Sequence, residues 1–450
     1  MSRLAPISGF PEYLPAQRAV EKRVLAILES TFELHGFASV ETRAVEPISQ
    51  LARKGEIDKE IYLVRRLHGD HGAEVAGDDL GLHFDLTVPF ARYVVENAGR
   101  LLFPFRRYQI QKAWRGERPQ EGRYREFTQA DIDIVGHSAL APHHDTEVAL
   151  VMVEALERLH RDLGLPPILM HANHRALVQG FYSGIGVADT LAAVQAVDKI
   201  AKIGPDGVTA MLTAQGLDEG QIAQILALAS VESDGAGLAE AIGRLGIDND
   251  DLTRGVAELT GLVEAVAAEF PGRITPDLRI SRGLDYYTGA VFEIELTGMA
   301  GFPMVAGGGR YDALATDGKT TYPGVGLSFG VTRTLAPLLG RGLYTTSRPV
   351  PSAVLVAVTS EETRSQADAA ASALRRRGIA CEVAPAADKF GKQIKFADRR
   401  GIPFVWFIGE DGEQTVKDIR TGEQVAADPA AWEPPEVDRT VQVIRADERK

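Results

Sequence analysis

The chain has one cysteine, Cys381, among 450 residues. That excludes an intrachain disulfide and any cysteine-rich zinc site. No apolar run reaches the ~20 residues that a membrane-spanning helix needs. The N-terminus, MSRLAPISGFPEYLP, has no apolar h-region, so no secretory signal is expected and the cytoplasm is. Three close histidine pairs occur, His68/His71, His143/His144 and His171/His174. None has a third ligand at metalloprotease spacing, so no metal site is expected. Walker A and Rossmann glycine spacings are also missing. The net charge of -13 weighs against a broadly basic nucleic-acid surface. Local basic patches still exist, at Arg106–Arg107, Arg115 to Arg125, Arg375 to Arg377 and Lys389 to Arg400.

What is there centres on residues 105 to 136, FRRYQIQKAWRGERPQEGRYREFTQADIDIVG. Two period-two runs flank a loop containing Pro119 and Gly122, which predicts an antiparallel hairpin. Tyr108, Ile110 and Trp114 share one face of the first run. On the second, Ile132 and Ile134 share one face, and Phe127, Gln129, Asp131 and Asp133 the other. A sheet face that buries Asp and Gln must give them partners. Arg115, Glu117, Arg118, Arg123 and Arg125 crowd the loop end, and arginines suit planar recognition of phosphate or carboxylate. The pattern alone fits a solvated, salt-bridged hairpin equally well.

The length predicts two or three domains. A helix over 15–35 stops at Gly36, and a strand Ala38 to Thr42 follows. Residues 43 to 80 are loop-rich, with a Gly-Asp cluster at Gly69 to Asp79. In LHFDLTVPFARYV, Asp85 and Thr87 sit at a strand end, placed either to hold a substrate amine or, in the case of Thr87, to cap the helix that Pro89 opens. A helix over 145–164 and a strand-to-helix segment ILMHANHRAL come next. From about Gly184 to Phe270, helical spacing and few aromatics predict a helical insertion. RISRGLDYYTGAVFEIEL returns to strand, expected to turn through Gly289. Gly307, Gly308 and Gly309 allow close backbone approach. GVGLSFGVTRTL reads as a strand entering a helix near Arg333. The expected boundaries are 1–183 and 271–340 for the main domain, 184–270 for the insertion and 341–352 for a linker. A compact α/β domain spans 353–425, and a partly disordered tail 426–450. Lys392, Lys395 and Arg399 lie on that domain's basic helix, facing either solvent or a phosphate backbone.

These motifs together resemble one family, the histidyl-tRNA synthetases of class II. The hairpin resembles the second class II motif, with Arg115, Glu117 and Arg118-Pro119 in place, and GVGLSFGVTR resembles the third. RGLDYYTG and AGGGRYD resemble the two histidine-specific motifs. DLTVPFARY resembles the substrate loop of the eukaryote-like branch, and GKQIKFADRRGIPFVWFIGED the anticodon-binding domain. Three positions depart from the family pattern: Arg43 stands for a proline, Thr332 for a glutamate, and Glu121 for a basic residue.

The resemblance implies an α+β catalytic domain with a mixed, mainly antiparallel sheet, a helical insertion and a C-terminal α/β anticodon-binding domain. It implies ATP-dependent activation of L-histidine and its transfer to tRNA(His), by a homodimer without membrane attachment. Arg115 and Arg282 are then the catalytic pair on the α-phosphate. ATP is held by Arg115, Glu117, Arg123, Phe127 and Arg333, with Mg²⁺ on the outer phosphates. Asp85, Leu86, Thr87, Arg115, Gln129, Asp133, Arg282, Tyr286 and Tyr287 surround histidine. Lys392, Lys395 and Arg399 face tRNA. Two rival readings are a non-catalytic regulatory subunit that senses histidine and an amino-acid ligase with another acceptor.

Overall fold

The computed structural model describes residues 5–52, 60–68, 79–280 and 286–448. The chain divides into two compact units, Met1–Pro11 with Leu25–Pro337, and Glu12–Val24 with Leu338–Lys450.

The larger unit is built on eight strands: β1 Ala38–Ser39, β2 Phe105–Trp114, β3 Glu126–Val135, β4 Ile168–His174, β5 Ile274–Pro276, β6 Tyr287–Leu296, β7 Ala306–Tyr311 and β8 Gly324–Gly330. Their order across the sheet is β1-β2-β3-β8-β7-β6-β4-β5. Only the outer pairs, β1 with β2 and β4 with β5, are parallel. The sheet is therefore mixed and mainly antiparallel, as the resemblance implies. The predicted hairpin is β2–β3, with Trp114 opposite Glu126 and Phe105 opposite Val135. It lies inside the sheet, and Ala130 to Val135 are all buried. That overturns a solvated hairpin, because β8 covers the open edge of β3.

Helix His143–Leu163 packs on this sheet through Val148, Met152, Leu156 and Leu159, at helical spacing. It ends at Gly164 in the left-handed region, φ 67°, where glycine carries no steric cost. Residues 190–269 hold further helices. Asp218 and Gln221 form a capping box on one, and Asn249 caps helix Asp250–Glu269. That last helix crosses Arg175–Gly184 at two glycines. A Cβ on Gly255 would meet the Leu177 amide nitrogen at 2.2 Å, and one on Gly180 the Leu252 nitrogen at 2.4 Å. The two backbones touch directly.

Two local expectations fail, and a third lies mostly outside the described residues. Gly289 makes no turn; it sits within β6, where a Cβ would strike Arg310 Cδ at 2.6 Å. Its missing side chain leaves room for that arginine. The substrate-loop strand ends at Leu82, and Asp85 lies in a bend before helix Thr87–Asn97. Asp85 accepts from the Val88 amide at 3.1 Å, so of the two residues it is Asp85, not Thr87, whose side chain bonds the helix start. Most of the Gly-Asp cluster, residues 69–78, lies outside the described residues.

In the smaller unit, strand Val354–Val356 pairs in parallel with Cys381–Val383 and Phe404–Ile408. Strands Gln414–Asp418 and Gln424–Ala426 extend the sheet antiparallel. Trp406 is fully buried, and Trp432 packs edge-on to it at 5.7 Å. The segment expected as a partly disordered tail forms helix Glu436–Arg439 and strand Val443–Arg445. Val443–Arg445 pairs with Tyr344–Thr346, from the stretch expected as a plain linker. Asp438 is buried and takes two hydrogen bonds from Arg420. Strand pairing and that ion pair order a polar segment that composition alone reads as loose.

Candidate active site

A cavity of about 420 Å³ opens on the sheet face that carries Phe127 and Gln129. Alternation along β3 puts these two side chains on one side. Beside them on β8 stand Ser328 and Gly330. Gly307 and Gly308 of β7 supply a floor without side chains. A Cβ on Gly308 would sit 2.0 Å from the Gly326 carbonyl oxygen, so glycine there is a steric requirement.

Among the described residues, three guanidinium groups line this cavity, Arg115, Arg123 and Arg333. Arg115 follows β2 and is anchored by its Nε, which donates to the Phe84 carbonyl at 3.0 Å. Its Cζ lies 5.1 Å from the Phe127 ring centre. Arg123 pairs with Glu117 at 2.9 Å. Arg333, near the start of helix Val331–Gly340, donates to the Gly122 carbonyl at 2.9 Å and ties the hairpin loop to the third motif. Burial pushes the neighbouring Glu60 carboxyl up, and the charge of Glu117 adds to the effect. Asp85, Thr87, Gln129, Tyr286 and Tyr287 line the same cavity. The two tyrosine rings lie 4.3 Å apart. Burial raises the Tyr287 hydroxyl well above the ordinary tyrosine range, so it stays a proton donor.

The structure thus brings together Asp85, Thr87, Arg115, Glu117, Arg123, Phe127, Gln129, Tyr286, Tyr287 and Arg333. Two expected residues are not among the lining. Leu86 is fully buried in the core. Asp133 lies deeper, paired with Arg107 at 2.7 Å and accepting from the Tyr311 hydroxyl at 2.8 Å. Its carboxylate is committed to balancing a fully buried guanidinium. Arg282 falls in 281–285, outside the described residues. Lys392, Lys395 and Arg399 are exposed on helix Phe390–Arg399, and Lys392 pairs with Asp388 at 2.8 Å.

Sequence reading missed Arg107, Tyr311, Ser328 and Tyr124. Arg107 was within reach: once Trp114 is set opposite Glu126, counting back puts Arg107 opposite Asp133. Ser328 and Tyr311 come from other strands, and their register is not written in the hairpin.

Two of the three departures have local explanations. Arg43 pairs with buried Glu46 at 2.9 Å, and Arg92 clamps the same carboxylate. Thr332 accepts from the Thr128 amide at 2.8 Å, joining the third motif to β3. Glu121 is exposed on the hairpin loop.

A family model described as histidyl-tRNA synthetase matches residues 9–334. This chain belongs to the histidyl-tRNA synthetase family. A second model, described as an anticodon-binding domain, matches residues 353–431. The histidine–tRNA ligase of Cutibacterium acnes is 60% identical over 99% of both chains. That of Micrococcus luteus is 53% identical over 99% of this chain and 100% of its own. The crystal structure of the histidyl-tRNA synthetase from Nostoc sp. PCC 7120 superposes with a TM-score of 0.83, at 30% identity. It covers 95% of this chain and 97% of its own.

Proposed function

We propose that the chain is a histidine–tRNA ligase that joins L-histidine to ATP in this cavity and passes the histidyl group to tRNA(His). The observation that carries the reading is one cavity lined both by Arg115, Arg123 and Arg333 and by Asp85, Thr87, Gln129, Tyr286 and Tyr287. The first step brings a carboxylate against a phosphate, so two anions approach. Fixed guanidinium groups screen that repulsion and stabilise the charge that grows on the α-phosphate. Arg115 is pre-oriented for this by its bond to Phe84. Arg282 is assigned the opposite side of the phosphorus. Tyr286, four residues further on, lines the cavity that Arg115 enters.

Phe127 and Arg333 would sandwich the adenine, Glu117 would accept from its amino group, and Arg123 would meet the outer phosphates. The ATP substrate would bring Mg²⁺ with its outer phosphates, adding positive charge there beside Arg123. Asp85, Thr87 and Gln129 offer oxygens to the substrate ammonium, and the tyrosines face the imidazole. A polar pocket rejects apolar analogues strongly, since they leave its buried groups unpaired. Asp133 then acts from beneath, through Arg107 and Tyr311. No side chain is assigned as base for transfer; a phosphate oxygen of the adenylate serves, and the protein positions the reactants. The basic helix with Lys392, Lys395 and Arg399 is assigned to the tRNA backbone. A homodimer in the cytoplasm completes the proposal, and no helix among the described residues is long and apolar enough to cross a membrane.

A regulatory subunit that senses histidine would need neither the anticodon-binding domain nor the arginine set. Charging a total tRNA pool with each amino acid in turn tests the proposal. Histidine alone should be incorporated; a chain that binds histidine and charges nothing would favour the regulatory reading.

A further inference from the structure

Behind Gln129 runs a line of polar side chains that the mechanism above does not use. Gln129 donates its Nε2 proton to Ser328 Oγ at 2.6 Å. Ser328 on β8 stands opposite Asp131 on β3, within reach of its carboxyl. Asp131 is buried, and its Oδ1 has no donor. Across the hairpin on the other side, Asp131 faces Gln109. Gln109 spends its Nε2 on Thr42 Oγ1 at 3.0 Å and Gln111 Oε1 at 2.6 Å. Its own Oε1 is buried and also lacks a donor. Gln111 finishes the line by donating to the Thr42 carbonyl.

The recorded hydrogen bonds on either side run the same way, and the gap between them lies at Asp131. There two buried acceptors, on cross-strand neighbours, share no hydrogen, and an unmet buried acceptor is costly. One proton on Asp131 closes the gap. The local charges allow it, since the nearby guanidinium, Arg107, is seated on Asp133.

We propose that Asp131 and Ser328 are positioning residues for the amine pocket. A neutral Asp131 carboxyl donates to Gln109 and holds the Ser328 hydroxyl, and Ser328 turns the Gln129 amide so that its oxygen meets the substrate ammonium. That Gln129 Oε1 is buried and has no partner, which suits an acceptor reserved for a ligand. Burial also drives the Asp131 carboxyl up to about 7, against the pull of Arg107 and with the push of Asp133 and Asp85. The charged and titratable groups around it are Arg107 on β2, Asp133 on its own strand, Asp85 before helix Thr87–Asn97, and Tyr311 on β7 through Asp133. The inference rests on the histidine reading for the identity of the ammonium, and on the two unmet buried acceptors, with burial beside them, for the proton.

The test measures histidine and ATP KM in ATP–pyrophosphate exchange for the wild type, Ser328→Ala, Asp131→Asn and Asp131→Ala. Ser328→Ala should raise histidine KM about 10-fold or more, with ATP KM held within about twofold. Asp131→Asn keeps a donor for Gln109 and an acceptor for Ser328. It should hold histidine KM near wild type at neutral pH and lose the rise that the wild type shows on going alkaline. Asp131→Ala should behave like Ser328→Ala. Infrared difference spectra, wild type minus Asp131→Asn, should show a protonated-carboxyl stretch that vanishes as pH passes upward through about 7. That readout needs no activity. If the wild type activates no histidine, the function reading falls while the band still decides where the proton is. A Ser328→Ala enzyme with unchanged histidine KM, or no such band, would overturn the proposal.

Discussion

At the scale of the residue, the most informative side chain is Arg107, fully buried in the sheet. A guanidinium can sit there because Asp133 lies 2.7 Å away and the Phe90 ring is centred 4.1 Å from its Cζ. The sequence shows that Gln129, Asp131 and Asp133 share a face and need partners; it does not show how two carboxylates divide one cation. The structure gives the cation to Asp133 and leaves Asp131 to accept a proton, and stability should carry that signature. Asp131 ionises near its ordinary carboxylate value when unfolded and at about 7 when folded. Its contribution is complete below the unfolded value and is lost as pH rises through about 7. Asp131→Asn cannot titrate, so its stability relative to wild type should grow between roughly pH 4 and 7, by about 1.4 kcal/mol per unit at most, and level off above. Urea unfolding of both proteins across that range checks this; a constant difference would show that Asp131 is ionised when folded.

At the scale of the element, strands and helices with clear periodicity were legible, and the contacts between them were not. Helix Pro15–Leu34 and strand Phe404–Ile408 fall where apolar spacing puts them. Gly289 read as a turn because a lone glycine in a strand has two explanations, and only Arg310 on the neighbouring strand selects between them. The polar segment after residue 426 read as loose because its order comes from pairing with a strand about a hundred residues earlier. Glycines in the helical region are equally silent in sequence. Gly255 sits against the Leu177 backbone, with no flexible side chain to give way. Gly255→Ala should therefore destabilise the protein by about 1–3 kcal/mol, although alanine is the better helix former. Thermal unfolding measures this, and a Tm at or above wild type would refute the close crossing. Gly326→Ala tests the same principle beside the site. Its Cβ would fall 2.1 Å from Asp133 Oδ1, so histidine KM should rise more than ATP KM.

At the scale of the whole molecule, the family was legible because chemistry fixes its motifs. The loop arginines, the tyrosine pair and the glycine strand are each dictated by a contact. Less of the site's depth was legible: Asp133 and Leu86 are second to the cavity wall, and Ser328 and Tyr311 enter from strands whose register only the folded sheet defines. The two units should separate by function. Removing the charges of Lys392, Lys395 and Arg399 together should raise tRNA KM and flatten its salt dependence, with histidine activation unchanged, because phosphate contacts add affinity through counterion release. Unchanged charging kinetics across salt would place the tRNA contact elsewhere.

The claim beneath all of these is that one cavity holds histidine and ATP together, with Arg115 on the reacting phosphate. ATP–pyrophosphate exchange, run with wild type and Arg115→Ala, tests it most directly. Wild type should exchange with histidine and with no other amino acid, and Arg115→Ala should lose about 100-fold or more in kcat. Exchange driven by a different amino acid, or an Arg115→Ala enzyme near full rate, would contradict it.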